Sequence, residues 1–167
     1  MILIAHRGNV HGRRPRLENT PAYLHTAAAG GYDVEVDVWF KDGEFFLGHD
    51  GPQAPTTLKF LSHPRFWLHA KNIDALLRLR NANLHCFFHD NDAATLTSRG
   101  YIWTFPGQPL TELSICVLPE RPDGLYGPCA GVCSDLVGRY REIAFGEIGR
   151  AVLSGSIEVE HPAALPR

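Results

Sequence analysis

A run of alternating residues near the start of the chain places acidic side chains two positions apart. Residues 33–38 read Asp-Val-Glu-Val-Asp-Val, which is the period-two pattern of a β-strand. Glu35 and Asp37 therefore share one strand face, with Cα atoms roughly 6–7 Å apart, so both carboxylates can converge on one cation. A buried pair without a positive partner would be costly. The alternative is an edge strand with a solvated acidic face, and this stretch alone leaves both interpretations open.

A predicted β-hairpin returns a histidine toward this acidic pair. Asp42-Gly43 has the residues typical of a two-residue hairpin loop, so Lys41 should face Glu44. The same register places His49 beside Asp37. The sequence around His49 also fits an ordinary polar turn, and the residues alone leave that interpretation open.

Polar or ionisable side chains follow nearly every apolar run of the chain. They are His6 and Arg7, Asp37, Lys71, His89 and Asp90, Thr104, Glu120, and Ser134 with Asp135. Active-site residues gather in this way at the carboxyl ends of the parallel strands of a (β/α) barrel. A complete barrel needs about 200 residues or more, and this chain has 167. We therefore predict an α/β fold that is a compact, shortened or incomplete TIM-like barrel.

The apolar patterns and turn residues predict a single domain over residues 1–167. Strands are predicted over 2–5, 32–39, 45–47, 66–72, 84–89, 101–104, 113–118 and 131–135. Helices are predicted over 22–29, 73–80 and 139–153, with a flexible tail after about residue 154. The first strand, the first helix and the acidic strand should form a parallel βαβ unit.

The composition indicates a globular protein without an affinity for polyanions. Apolar residues make up 44% of the chain, charged residues 20%, and the formal net charge is −2. Basic clusters such as Arg13-Arg14-Pro15-Arg16 are short. We therefore expect neither nucleic acid nor an anionic membrane as a partner.

The start of the chain and its cysteines indicate a cytoplasmic protein. The apolar run that begins at Met1 stops at His6, which is too short for a signal-peptide core or a membrane span. Four cysteines lie mostly inside apolar runs, and none has the spacing of paired zinc ligands. They are Cys86, Cys116, Cys129 and Cys133, and we predict buried free thiols.

Five short motifs in the first fifty residues resemble those of the glycerophosphodiester phosphodiesterase family, in order and in spacing. The motifs are Ala5-His6-Arg7-Gly8, Glu18-Asn19-Thr20, Glu35-Val36-Asp37-Val38, Asp42-Gly43 and His49-Asp50. The barrel of that family is also similar to that of phosphatidylinositol-specific phospholipase C. The resemblance implies a phosphodiesterase with a small-molecule phosphodiester as its substrate.

The resemblance also implies a role for each matching residue. His6 and His49 would serve as general acid and base, while Glu35 and Asp37 would hold one divalent cation. By analogy, a neighbouring hydroxyl of the substrate would be the nucleophile, which gives a cyclic phosphate before water attacks.

The phosphate-binding residues follow from the same resemblance. Arg7 and a lysine on the third parallel strand, Lys71, would bind the phosphate, and Glu18 and Asn19 would brace the site. Two further residues on later strands, His89 and Trp103, complete the predicted substrate-binding set.

At His69, the chain departs from the pattern of the family that it resembles. The family has Glu-x-Lys on the third strand, with the glutamate as a metal ligand, and this chain has His69-Ala70-Lys71. A neutral imidazole ligand in place of a carboxylate favours Mg²⁺ or Mn²⁺ over Ca²⁺. The alternative is that His69 only hydrogen-bonds a carboxylate ligand.

The leading hypothesis is metal-dependent hydrolysis of a glycerophosphodiester-like substrate. The alternative is a non-catalytic barrel that binds a phosphorylated sugar or polyol. Both would use Arg7 and Lys71, whereas only the enzyme requires His6 and His49. Few residues separate Asp50 from the next predicted strand, so we expect a more open pocket than in relatives with an inserted domain.

Overall fold

The computed structural model describes residues 1–122, 124 and 127–141. Ten strands are β1 Ile2–His6, β2 Asp33–Lys41, β3 Glu44–Leu47, β4 Ala54–Thr56, β5 Phe66–Ala70, β6 Cys86–Phe87, β7 Ala94–Leu96, β8 Ile102–Thr104, β9 Ser114–Val117 and β10 Gly131–Ser134. The helices among these elements are α1 Pro21–Ala29, α2 Leu58–Leu61 and α3 Ile73–Asn81.

The strands form one curled sheet. Parallel pairing runs in the order β6-β5-β2-β1-β10-β9-β8, while β3 and β4 extend from β2 as antiparallel strands and β7 pairs antiparallel with β8. The curl brings the two ends of the parallel series together, since the rings of Phe87 on β6 and Trp103 on β8 stack at 4.5 Å. The fold is a mixed α/β half-barrel, in agreement with the predicted incomplete barrel.

The acidic strand is central in this sheet. β2 pairs with β1 and with β5, so neither of its edges is free over Glu35. The exposed fraction is 2% for Glu35 and 0% for Asp37. The alternative of an edge strand with a solvated acidic face is therefore wrong.

The two faces of the sheet bury different layers. The outer face carries Val34, Val36 and Val38, which belong to a core that includes Leu24 of α1 and Leu79 of α3. The inner face carries a second apolar cluster, formed by Ile4, Trp67, Phe87, Trp103, Ile115, Val117 and Cys133. Strand alternation thus directs the side chains of 33, 35 and 37 toward the interior of the curl.

The predicted hairpin is confirmed. Asp42 and Gly43 have φ angles of 51° and 88°, as a type I′ loop requires, and Lys41 faces Glu44. The ladder ends at Leu47, where the chain bends away. His49 therefore follows the hairpin without pairing opposite β2.

Several predicted strands are shorter than expected. The strand predicted through Asn72 ends at Ala70, because the Asn72 side chain caps α3 by accepting from the Ala75 N–H at 3.1 Å. The strand predicted over 84–89 contains only Cys86–Phe87. One edge of β6 contacts a turn and not a long strand, because the Ser98 N–H in that turn donates to the Cys86 C=O at 2.8 Å.

The elements β4, α2 and β7 were not predicted, because each has only three or four residues. Residues 137–141 are helical. The rest of the predicted helix 139–153 and the predicted tail lie outside the described residues.

Among the described helices, none has the length and apolar character needed to cross a bilayer. As predicted, none of the four cysteines, which all lie within the described residues, forms a disulfide, and all but the half-buried Cys129 are buried.

Candidate active site

A cavity of about 410 Å³ opens at the carboxyl ends of the parallel strands. Eight of the predicted site residues line it, namely His6, Arg7, Glu35, His49, His69, Lys71, His89 and Trp103. Asp37, Asn19 and Glu18 contact these residues from behind. Strand register explains the grouping, because β2 and β5 pair in parallel with Asp37 opposite His69.

Three buried side chains form an acidic centre beside the cavity. His69 Nδ1 lies 3.1 Å from Asp37 Oδ1 and 3.5 Å from Glu35 Oε1. One nitrogen or oxygen atom from each of the three lies within 4.8 Å of the others. The prediction that His69 lies beside the two carboxylates is confirmed.

Asp37 is surrounded by positive and hydrogen-bonding groups. Asn19 Nδ2 donates to Asp37 Oδ2 at 2.8 Å, and Asn19 Oδ1 accepts from the Asp37 N–H at 3.0 Å. Arg7 Nε lies 3.1 Å from Oδ2, and Lys71 Nζ lies 3.6 Å from Oδ1. Burial alone would raise the pKa of Asp37, but His69, Arg7 and Lys71 outweigh it and lower this pKa far below the ordinary value.

One oxygen of this carboxylate accepts no hydrogen bond. Asp37 Oδ1 is buried and unpaired in that sense, although it is at ion-pair distance from two cationic groups. Glu35, Asp37 and His69 together offer two carboxylates and one imidazole, and this donor set fits Mg²⁺ or Mn²⁺.

In the metal-free protein the same geometry favours a charged His69. Burial would lower the pKa of His69, but the Asp37 and Glu35 carboxylates raise it to about 9 from an ordinary value of 6.5. His69 then forms a buried ion pair with Asp37. A bound cation would have to displace this proton.

We expect the stability of the metal-free protein to fall between pH 6.5 and 9. The folded state holds one more proton than the unfolded state in this window, so the stabilisation is complete below 6.5 and is lost as the pH rises through about 9. The loss should be on the order of 3 kcal/mol. The charged groups that act on His69 are Asp37 and Glu35. Urea unfolding in EDTA at several pH values checks this, and His69→Gln should flatten the slope.

His6 is held by a partner that the sequence reasoning missed. His6 Nδ1 lies 2.8 Å from Asp135 Oδ1, at the end of β10, and His6 Nε2 lies 4.0 Å from Glu35 Oε2. Burial would raise the pKa of Asp135, but the His6 hydrogen bond and Asn9 lower it. Because this carboxylate accepts a hydrogen bond from Nδ1–H, His6 keeps Nε2 available on the cavity side.

A polar network behind His6 fixes these groups. Asn9 Nδ2 donates to Asp135 Oδ1 at 2.8 Å and to Glu18 Oε1 at 3.0 Å. Glu18 Oε2 accepts from Arg7 Nη1 at 3.3 Å, and the Arg7 backbone N–H donates to Glu35 Oε2 at 3.2 Å. Arg7 has a φ of 52°, an uncommon conformation for a residue other than glycine. Glu18 therefore supports the site by orienting Arg7 and Asn9.

His49 follows the end of β3, away from the Asp42-Gly43 loop of the hairpin, and its side chain lines the cavity. Its side chain is 40% exposed, and Nδ1 lies 2.7 Å from Asp50 Oδ1. The Trp39 indole N–H donates to the Gly48 carbonyl at 2.7 Å, which fixes the bend before His49. Residues 49–51 bend, as the polar-turn interpretation expects, and this bend places His49 in the cavity lining.

The fourth histidine of the lining, His89, belongs to an aromatic stack. The rings of His69 and His89 are parallel at 4.6 Å, and Phe105 meets His89 edge-on at 5.8 Å. Burial, His69 and Lys71 lower the pKa of His89 to about 4, so its ring is neutral at pH 7. The Trp103 ring stacks on the Phe87 ring.

Asn9, Glu120 and Asp135 are the site residues that sequence reasoning did not assign. Glu120 Oε1 accepts from the Asp135 N–H at 2.8 Å, so it orients the His6 partner. Two of the three, Glu120 and Asp135, stand at strand ends, and this position was the signal available in the sequence.

The chain was compared with protein-family models, with curated proteins and with solved structures. No family model, curated protein or solved structure matched it.

Proposed function

We propose that this protein is a metal-dependent phosphodiesterase with a shortened TIM-like barrel, similar in its chemistry to the glycerophosphodiester phosphodiesterases. The observation that carries the proposal is one cavity lined by His6, His49, Arg7, Lys71 and Glu35. A phosphodiester is an anion whose hydrolysis needs positive charge and two proton-transfer groups. This lining supplies both.

Glu35, Asp37 and His69 would hold one divalent cation, with Mg²⁺ or Mn²⁺ favoured and Ca²⁺ less so. Asp37 Oδ1 is buried and its contacts are ion pairs with His69 and Lys71, which supports this assignment. When bound, the cation supplies charge neutralisation for a phosphate oxygen. Asn19 keeps the Asp37 carboxylate oriented through two hydrogen bonds.

Arg7 and Lys71 would bind the phosphate. Both flank Asp37, at 3.1 Å and 3.6 Å, and both line the cavity. Their charges would offset the negative charge that grows on the phosphoryl oxygens toward the transition state. Electrostatic stabilisation of this kind usually contributes more to the rate than any other single effect.

His6 and His49 would exchange protons with the substrate. One imidazole takes the proton of the attacking hydroxyl as the new P–O bond forms. The other gives a proton to the alcohol oxygen as the old P–O bond breaks. His6 is prepared for this role because Asp135 orients its ring through a 2.8 Å contact.

The alternative function is binding of a phosphorylated sugar or polyol without turnover. A panel of phosphodiesters and phosphorylated sugars, assayed with and without Mg²⁺, Mn²⁺ and Ca²⁺, separates the two. Ion-dependent release of an alcohol from a diester, with a bell-shaped pH profile, supports the enzyme. Saturable binding of a sugar phosphate with no turnover of any diester would instead establish the alternative.

We expect His69 to determine which ion activates the protein. Wild type should prefer Mn²⁺ or Mg²⁺ over Ca²⁺, and His69→Glu should move the preference toward Ca²⁺ by about tenfold or more, because it adds an anionic oxygen ligand. Calorimetric titration of both proteins with the three ions measures this. The same order of affinities in both would mean that His69 only supports a carboxylate ligand.

A further inference from the structure

The cavity has a second half that the proposed chemistry does not use. Besides charged residues, the lining includes five apolar side chains, and Arg121 follows them on the segment after β9. The five are Trp103, Phe105, Pro106, Val117 and Leu118. They come from the ends of β8 and β9 and from the turns that follow. Four of the five have no hydrogen-bonding group in the side chain.

Leu118 occupies this half at a conformational cost. Its φ is 46°, in the left-handed region that leucine rarely adopts. Two backbone hydrogen bonds hold it there, from Leu118 N–H to Cys133 C=O at 2.7 Å and from Arg121 N–H to Leu118 C=O at 3.0 Å. Strained residues of this kind concentrate at ligand sites. Here the strain places an apolar side chain in the cavity lining.

The space exceeds what a phosphate needs. Water occupies about 30 Å³ per molecule in the liquid, so a cavity of about 410 Å³ has room for several groups beyond a phosphate. Phe105 is 39% exposed at this wall, whereas Trp103 is 4% exposed. The wall therefore extends from the interior of the curl to its mouth.

We propose that this half binds the alcohol group of the substrate, and that this alcohol has an apolar carbon skeleton and not the hydroxyls of glycerol or a sugar. The inference rests on the proposed phosphate site in the charged half. A polyol placed against the five apolar side chains would lose hydrogen bonds to water that four of them cannot replace. An aromatic or alkyl group would instead gain burial and ring contacts.

Binding of phosphate monoesters tests this subsite without relying on turnover. Calorimetry in the presence of Mg²⁺ should show phenyl phosphate binding at least about tenfold tighter than glycerol 3-phosphate or glucose 1-phosphate. Leu118→Gly removes the side chain and suits the left-handed backbone, so it should fold and reduce that preference at least about threefold. Asn83→Gly is the matched control, since Asn83 also has a positive φ, of 55°, but lies outside the cavity lining.

The outcomes separate the two proposals. Suppose that inorganic phosphate binds, but that the three esters bind equally or a polyol ester binds more tightly than phenyl phosphate. That result would overturn the apolar subsite and leave the phosphate site standing. The same preference in wild type and Leu118→Gly would also overturn the role of Leu118. If neither inorganic phosphate nor any ester binds, the proposed function fails, and this inference fails with it.

Discussion

His6→Ala should lower kcat for phosphodiester hydrolysis by at least about 100-fold. The substitution removes a proton-transfer group that lines the cavity and is oriented by a 2.8 Å contact to Asp135. Its KM should change much less than its kcat, because Arg7 and Lys71 still bind the phosphate. Steady-state kinetics across a range of pH measures both constants, and one limb of the bell-shaped profile should disappear.

Two further variants test whether the loss of kcat comes from the missing proton-transfer group. His25→Ala removes an exposed histidine on the outer surface of α1 and should leave the kinetics unchanged. Asp135→Asn keeps the shape of the His6 partner but removes its negative charge and changes its contact with Nδ1–H, so it should reduce kcat. Full activity in His6→Ala would remove His6 from the mechanism.

Asp37→Asn should abolish the thermal stabilisation that Mg²⁺ or Mn²⁺ gives to the wild type. An ion at 100 times its Kd stabilises the folded state by about 2.7 kcal/mol, which corresponds to an increase in Tm of about 5–10 °C for a chain of this size. Asp37 supplies a buried oxygen that lies between Lys71 and His69 at the centre of the site. Without its charge, Arg7 and Lys71 would repel the ion.

Asp33→Asn is the matched control for this measurement. Asp33 lies on the same face of β2, four residues earlier, and its carboxylate accepts from the Trp67 indole N–H at 3.0 Å. This variant should keep the ion-induced increase in Tm. Because Asp37→Asn also breaks a buried charge network, Glu35→Gln provides a second test if Asp37→Asn does not fold. An undiminished increase in both acidic-centre variants would exclude the site.

Local patterns in the sequence were sufficient to predict the acidic centre. The period of two puts Glu35 and Asp37 on one face in any β-strand, and Asp42-Gly43 determines a hairpin in most contexts. His69 could be assigned because it lies two residues before Lys71, on the same face of the next parallel strand. What the pattern could not decide was burial. That followed only from the pairing of β2 with β1 and β5.

The support of His6 could not be predicted in the same way. His6 and Asp135 are 129 positions apart in the chain, and they meet because β1 pairs with β10, with Ala5 opposite Ser134. Neither strand's sequence specifies its neighbour. The left-handed backbone of Leu118 was equally hidden, because nothing in its sequence suggests a turn residue. Long-range pairing and strain are the parts of this site that require coordinates.

Phosphorus NMR of one phosphodiester provides the most direct test of the central claim that this cavity hydrolyses such esters. With Mg²⁺ and wild-type protein, the diester resonance should disappear while a monoester or cyclic phosphate resonance grows. EDTA or His6→Ala should prevent that conversion. A diester that remains intact with wild-type protein, across a panel of alcohols and with each of Mg²⁺, Mn²⁺ and Ca²⁺, would contradict the account and favour a barrel that only binds its phosphorylated ligand.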